Sequence, residues 1–219
     1  MTIALEVLPD REAAARRVAS LVAERARDAV ERQGAFSLAL SKAPPELLRT
    51  LAEDLPWPSI SLYQVDERVA PDGHPDRNIT LIISELPRAA RASLCPMQVE
   101  DPDLEAAAER YAAELPPQLD FVHLGLGADG HTASLVPGDP VLDVRDRLVA
   151  VTEEYEGHRR LTLTYPALGA AREIVWLVTG ESKRGPLSRL LEQDSSIPAA
   201  RVSNICQRIV ADSAAVEPS

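Results

Sequence analysis

The sequence predicts an α/β domain: a mostly parallel sheet with helices covering both faces. Three observations predict it. Short apolar runs alternate with longer stretches of helical periodicity along the whole chain. The run Leu119–Leu126 breaks directly into a turn with three glycines, as a buried strand does at the ligand-binding edge of a sheet. The 219 residues, 45% hydrophobic and 26% charged, are enough for one sizeable core, so residues 1–219 are read as a single domain.

Taken in order, Thr2–Leu8 alternates apolar and polar side chains and is expected to be an edge strand. Asp10 caps a helix to about Gln33, because Ala14, Val18, Leu21, Val22, Ala26 and Val30 recur at helical spacing, and Gly34 ends it. Phe36–Leu40 is a second strand, and Pro44 or Pro45 starts a helix through Leu47, Leu48 and Leu51. Ile60–Val65 is a third strand, and the three charged residues at its exit, Asp66, Glu67 and Arg68, are what an active-site edge looks like, although a solvated loop would look similar. Asn78–Leu86 reads as a helix stopped by Pro87, followed by a polar connection past Cys95 and Met97. Asp103 opens a helix to about Leu115, which Pro116 and Pro117 terminate. After the strand at Leu119 come the glycine turn and a short helix. Leu148–Val151 is a short strand, Glu153–His158 a charged turn and Glu173–Thr179 the last strongly buried strand. Gly180 turns the chain, Glu181 or Ser182 caps a helix with Lys183 in its first turn, and Ile205–Val210 is a final edge strand before a frayed tail at Ala214–Ser219.

Gly125, Gly127 and Gly130 suggest a loop shaped around something small, because glycine lets backbone approach a ligand closely. That loop carries one imidazole, His131. The run Gly125–Pro137 resembles the signature of 6-phosphogluconolactonases, Leu-Gly-x-Gly-x-Asp-Gly-His-Thr-Ala-Ser-Leu-(Phe)-Pro. The related glucosamine-6-phosphate deaminases share Gly-x-Asp-Gly-His but continue Ile-Ala-Phe-Asn-Glu-Pro, where this chain has Thr132-Ala133-Ser134-Leu135. Asp66-Glu67-Arg68-Val69-Ala70-Pro71 and His74-Pro75-Asp76-Arg77-Asn78 resemble that family's Trp-Gly-Asp-Glu-Arg-x-Val-Pro and His-Pro-x-Ser-Asn elements. Arg160–Leu168 is similar to Arg-(Ile/Val)-Thr-Leu-Thr-x-Pro-x-Leu, and Thr179–Lys183 to Thr-Gly-x-x-Lys. The resemblance implies the Rossmann-like fold of the sugar-phosphate isomerases and deaminases, without a dinucleotide site, and a Lys183 that faces the substrate phosphate. The chain departs from the pattern at Ser41-Lys42-Ala43-Pro44-Pro45, where the family has Ser-Gly-Gly-Ser or Thr-Pro. Both glycines are gone and two prolines lack N–H donors, so a backbone anion nest is not expected there. Lys42 can supply a point charge instead.

The formal net charge of -11 opposes nonspecific nucleic-acid binding. Only Lys42 and Lys183 among the 23 basic residues are lysines. Two cysteines make no disulfide framework, Met1–Asp10 does not read as a signal peptide, and no run spans a membrane, so the expected compartment is the cytoplasm.

Opening a sugar δ-lactone needs a base, a cation near the carbonyl oxygen and an anchor for the ring. An imidazole, with its ordinary pKa of roughly 6.5, can be that base, which selects His131. Arg68 and amides of the Gly127–Gly130 loop are expected to stabilise the oxyanion, while Ser41, Lys42, Asp66 and Lys183 line the substrate site. Asp129 either orients His131 or only makes a turn. Arg68 and Arg77 are not ranked as phosphate contacts. His123 reads as a satisfied core residue, and His158 as a turn residue without partners. No metal or cofactor is expected, and the partner is a small sugar-phosphate lactone bound by a monomer or small homo-oligomer. Two alternatives stay open: a related deaminase or isomerase, and a noncatalytic sugar-phosphate binder.

Overall fold

The computed structural model describes residues 3–86 and 94–216. The start of the first strand at Thr2, the stop at Pro87 and the end of the tail lie outside them. Among the described residues ten strands form two sheets. The large sheet is wholly parallel and contains β1 (Ala4–Leu8), β2 (Phe36–Leu40), β3 (Ile60–Gln64), β5 (Leu94–Cys95), β6 (Phe121–Leu124), β9 (Ile174–Val178) and β10 (Gln207–Asp212), in the order β1-β10-β9-β6-β2-β3-β5. The small sheet is antiparallel, β4-β8-β7, from β4 (Asp66–Arg68), β7 (Val149–Val151) and β8 (Arg160–Leu163).

Side chains of the central strands alternate between two cores because successive residues of a strand point to opposite faces. Phe36, Leu38, Leu40, Phe121, Val175 and Leu177 pack on one face with helices α1 (Arg11–Gln33) and α2 (Pro45–Asp54). Val122, Leu124, Ile174 and Trp176 pack on the other with Leu161, Leu163 and Tyr111. Both faces are covered, which is why these strands read as continuous apolar runs. α1 ends as its sequence dictates: the Asp10 carboxylate accepts from the Ala13 N–H at 2.7 Å, and Gly34 takes φ 78° at the other terminus.

Strand order decides where a ligand can sit. The chain builds outward from β2 through β3 to β5, returns to β6 beside β2, and then builds the other way through β9 to β10. The loops after β2 and β6 therefore diverge, leaving a crevice at the carboxyl edge of the sheet, the place where open α/β sheets bind ligands.

Four expectations need correction. β10 is an interior strand between β1 and β9, while β1 alone holds that edge; apolar patterning identifies a strand but not its neighbours. Leu94–Cys95, expected as a polar connection, is a two-residue strand on the opposite edge. Asp66–Arg68, for which a solvated loop stayed open, is a strand paired with β8. The short helix after the glycine turn does not form: Ala133 takes φ 51°, and a Thr132–Leu135 bridge closes a tight turn instead.

Candidate active site

The crevice opens into a cavity of about 490 Å³ lined by Ser41, Lys42, Asp66, Arg68, the 125–129 backbone, His131, Ala133, Tyr155, Glu156, Arg160 and Lys183. Three elements of the large sheet and the small sheet contribute to it. Its cations are Lys42, Arg68, Arg160 and Lys183, and its acids are Asp66, Asp129 and Glu156. On a chain of net charge -11, four cations against three acids is a local inversion of sign.

The loop after β6 is held by its own atoms. Gly127 N–H donates to the His131 carbonyl at 2.8 Å, and Gly130 N–H donates to the Gly127 carbonyl at 3.0 Å. Those two amides are therefore engaged, and the two glycines shape the loop rather than donate to a ligand. A Cβ on Gly127 would overlap the His131 ring and lie 2.6 Å from Asp129 Oδ1. Gly130 has φ 86°, and a Cβ there would lie 2.5 Å from Ile197 Cγ2. The Asp129 carboxylate accepts from the His131 backbone N–H at 3.1 Å and meets His131 Nδ1 at 2.6 Å. Asp129 thus makes the turn and orients the ring together. Burial pushes its carboxyl pKa up, but the His131 amide and ring and the Tyr155 hydroxyl outweigh this and hold it below the ordinary value.

The loop after β2 is built differently. Its Ser41 N–H donates to the His123 carbonyl at 3.1 Å, and the Leu47 N–H of the first α2 turn donates to the Pro44 carbonyl at 3.0 Å. With Pro44 and Pro45 lacking N–H groups, this helix start offers an anion little backbone, as the sequence implies. Lys42 is exposed overall, yet desolvation and then the nearby Arg68 lower its pKa. Lys183 is half-buried; desolvation lowers its pKa, and Asp129 opposes this. It sits in a 3-10 turn, Glu181–Lys183, just ahead of the helix Arg184–Leu191 rather than inside its first turn, and as the N-cap residue of that helix it makes no side-chain cap bond.

The small sheet supplies the arginines. Arg68 lies directly opposite Arg160 across the β4–β8 pair, an arrangement that like charges disfavour unless an anion or acid shares the site. Arg68 Nη1 donates to the Asp76 carbonyl at 2.8 Å. Arg160 is 2% exposed and pairs with Glu156 at 3.4 Å. Arg77 does not line the cavity; it faces Glu67, Asp72 and Glu100 instead, so geometry favours Arg68 of the two. Glu67, fully buried, accepts from the Asn78 N–H at 2.7 Å and the Ile79 N–H at 2.9 Å and so caps the helix Asn78–Glu85. Asp66, 4% exposed, accepts from Ser134 Oγ at 2.7 Å, tying β4 to the turn that follows His131.

Sequence reasoning missed Arg160 and Tyr155 as lining residues. The Arg-x-Thr-Leu-Thr resemblance was a signal for Arg160, while Tyr155 sits in a charged turn that carries none. It also misread two histidines. His158 has partners, the Val69 carbonyl at 3.2 Å and Asp76 Oδ2 at 3.1 Å. His123 is in the core, 1% exposed, but among the described residues neither of its ring nitrogens has a hydrogen-bond partner, and desolvation lowers its pKa to about 4.

The sequence profile of the family described as glucosamine-6-phosphate isomerases/6-phosphogluconolactonase matches residues 9–211. A 6-phosphogluconolactonase of Nostoc sp. is 35% identical over 205 residues, which cover 85% of this chain and 84% of that protein. One of Rattus norvegicus is 37% identical over 213 residues, 84% of this chain and 80% of that protein. The crystal structure of 6-phosphogluconolactonase from Thermotoga maritima matches with TM-score 0.85 at 25% identity, over 96% of this chain and 99% of that one. A monomeric glucosamine-6-phosphate deaminase also reaches 0.85, at 18% identity, over 97% and 98% of the two chains. Backbone likeness alone therefore does not separate the two activities. Profile, relatives and fold agree on one conclusion: the chain belongs to the glucosamine-6-phosphate isomerase/6-phosphogluconolactonase family.

Proposed function

We propose that this chain hydrolyses 6-phospho-D-glucono-1,5-lactone to 6-phospho-D-gluconate, the lactone-opening reaction of the oxidative pentose phosphate pathway, with His131 as general base. The observation that carries the reading is the 2.6 Å contact between His131 Nδ1 and Asp129 Oδ1 on the wall of a cation-rich cavity. Curated relatives named 6-phosphogluconolactonase and the Thr132-Ala133-Ser134-Leu135 continuation favour the lactonase over the deaminase.

A carboxylate can only accept a hydrogen bond, so Asp129 fixes the proton on Nδ1 and leaves Nε2 as the basic nitrogen. Nε2 takes a proton from water as the water oxygen attacks the lactone carbonyl carbon, and the carbonyl π electrons move onto oxygen. Arg68 stabilises that oxyanion, in the place the engaged Gly127 and Gly130 amides do not fill. Collapse breaks the bond to the ring oxygen, which takes the proton back from the imidazolium. The carboxylic acid product then ionises, releasing one proton. Lys183 and Lys42 hold the 6-phosphate as point charges, and Ser41 and Asp66 shape the sugar site. No cofactor enters this scheme. The enzyme is read as cytoplasmic, a monomer or small homo-oligomer; no helix among the described residues is long and apolar enough to cross a membrane.

The test is proton release from enzymatically generated lactone, measured above the spontaneous rate. Fast turnover that His131→Ala abolishes supports the assignment. Wild type that adds nothing to the spontaneous rate, yet melts higher with 6-phosphogluconate, makes the chain a binder instead.

A further inference from the structure

Tyr155 belongs to no motif singled out in the sequence, yet its side chain in the charged turn at 153–158 is held by contacts on several sides. Its hydroxyl donates to Asp129 Oδ2 at 3.2 Å, on the carboxylate oxygen that His131 does not use. Its ring meets the His131 ring edge-on, with centroids 5.7 Å apart and planes at 68°. On its other side the buried Arg160 guanidinium lies 4.9 Å from the ring centroid, and Arg160 Nη2 donates to the Tyr155 carbonyl at 3.1 Å. The turn itself is shaped for this placement, with Glu156 at φ 52°, Gly157 at φ 79° and a Tyr155–His158 bridge closing it.

These contacts meet on one group. A carboxylate 36% exposed, with a single hydrogen-bond partner, would swing about its side-chain torsion and carry the imidazole with it. With one oxygen on His131 and the other on Tyr155, the Asp129 plane is fixed at both ends. We propose that Tyr155 is a positioning residue for the hydrolysis: it holds Asp129, and through it the tautomer and orientation of His131, while Arg160 holds Tyr155. The inference rests on the lactonase reading and extends it from a pair to a chain, Arg160–Tyr155–Asp129–His131. It also gives the buried Arg160 a task that does not require contact with substrate.

The chemistry sets the direction of each effect. The phenol O–H spreads charge away from the Asp129 carboxylate; without it the carboxylate is the stronger partner for an imidazolium, so the acid limb of the rate profile moves to higher pH. Tyr155→Phe keeps the ring contacts and removes only the hydroxyl. It is expected to lower kcat about tenfold, near the lower end for a hydrogen bond to a charged group, with KM unchanged. In an Asp129→Asn background the same substitution should cost less than about twofold, because the group it acts through is gone.

The experiment is that double-mutant cycle, read as kcat, KM and the acid limb of kcat/KM, with a ¹⁵N NMR titration of the His131 ring in wild type and Tyr155→Phe. Loss of kcat in the single variant, no further loss in the double variant and a shifted limb support the proposal. Equal losses in both backgrounds, or a KM effect alone, overturn it in favour of direct substrate contact. The NMR titration needs no turnover: if wild type proves inactive, an unaltered His131 titration in Tyr155→Phe still overturns the positioning role, and a shifted one upholds it while the lactonase reading fails.

Discussion

The loops after β2 and β6 flank the same crevice and line the same cavity, yet they are built on opposite principles. The β6 loop is over-determined by contacts among its own residues and with Ile197: Gly127 must be glycine for the His131 ring, Gly130 for Ile197, and Asp129 bonds both the amide and the ring of His131. The β2 loop anchors its Ser41 amide to the His123 carbonyl, and faces the cavity with the flexible Lys42. Orienting a base demands positions good to a fraction of an ångström, whereas holding a phosphate needs only charge within reach. On the proposed roles, the β6 loop keeps the resembled pattern through Gly125–Pro137, and the β2 loop can exchange backbone amides for Lys42.

His131→Ala probes the base loop most severely. It is expected to lower kcat by about 10²- to 10⁴-fold with little change in KM, checked by steady-state proton release. Gly127→Ala is the sharper probe, since it adds one methyl and removes no functional group. Its Cβ displaces the His131 ring, so kcat is expected to fall about 10²-fold while the thermal melt stays cooperative. Ala43→Gly in the β2 loop should change kcat less than about threefold. Equal effects from these two substitutions would break the contrast between the loops.

His123 links the two loops and gives a pH test of stability. Its folded pKa is about 4 against roughly 6.5 for an unfolded histidine, so between these values the unfolded chain binds a proton that the folded chain does not. Stability therefore falls as pH drops from 6.5 to 4, by about 3 kcal/mol over the window. His123→Leu removes this contribution, and denaturant titrations at pH 7 and pH 5 should differ less for the variant than for wild type. Lys42→Ala should leave the chemical step alone. KM should rise about tenfold with kcat kept, and the difference should shrink as salt screens the lysine of the wild type.

Much of this architecture is legible in the residues. Asp10 and Gly34 bracket α1, and Asp103 caps the helix Leu104–Glu114 with its carboxylate on the Ala106 N–H at 3.0 Å. The apolar runs at Phe36, Ile60, Phe121 and Ile174 are strands because both faces of the sheet are covered. Less legible is anything that depends on which element lies beside which. The interior place of β10 and the pairing of Asp66–Arg68 with β8 rest on contacts between residues far apart in the chain.

By itself the sequence determined the alternation of strands and helices, the glycine-shaped loop carrying His131, and the loss of amides at Pro44 and Pro45, because each follows from local backbone chemistry or from a period within one element. Only the tertiary structure placed Arg68 and not Arg77 on the cavity wall, left the His123 ring nitrogens without a hydrogen-bond partner among the described residues, and brought Tyr155 to Asp129 and Arg160 to Tyr155. The physical reason is the same in each case. Hydrogen bonds and ion pairs act over a few ångströms in space, and Tyr155 and Asp129, which one joins here, stand 26 positions apart.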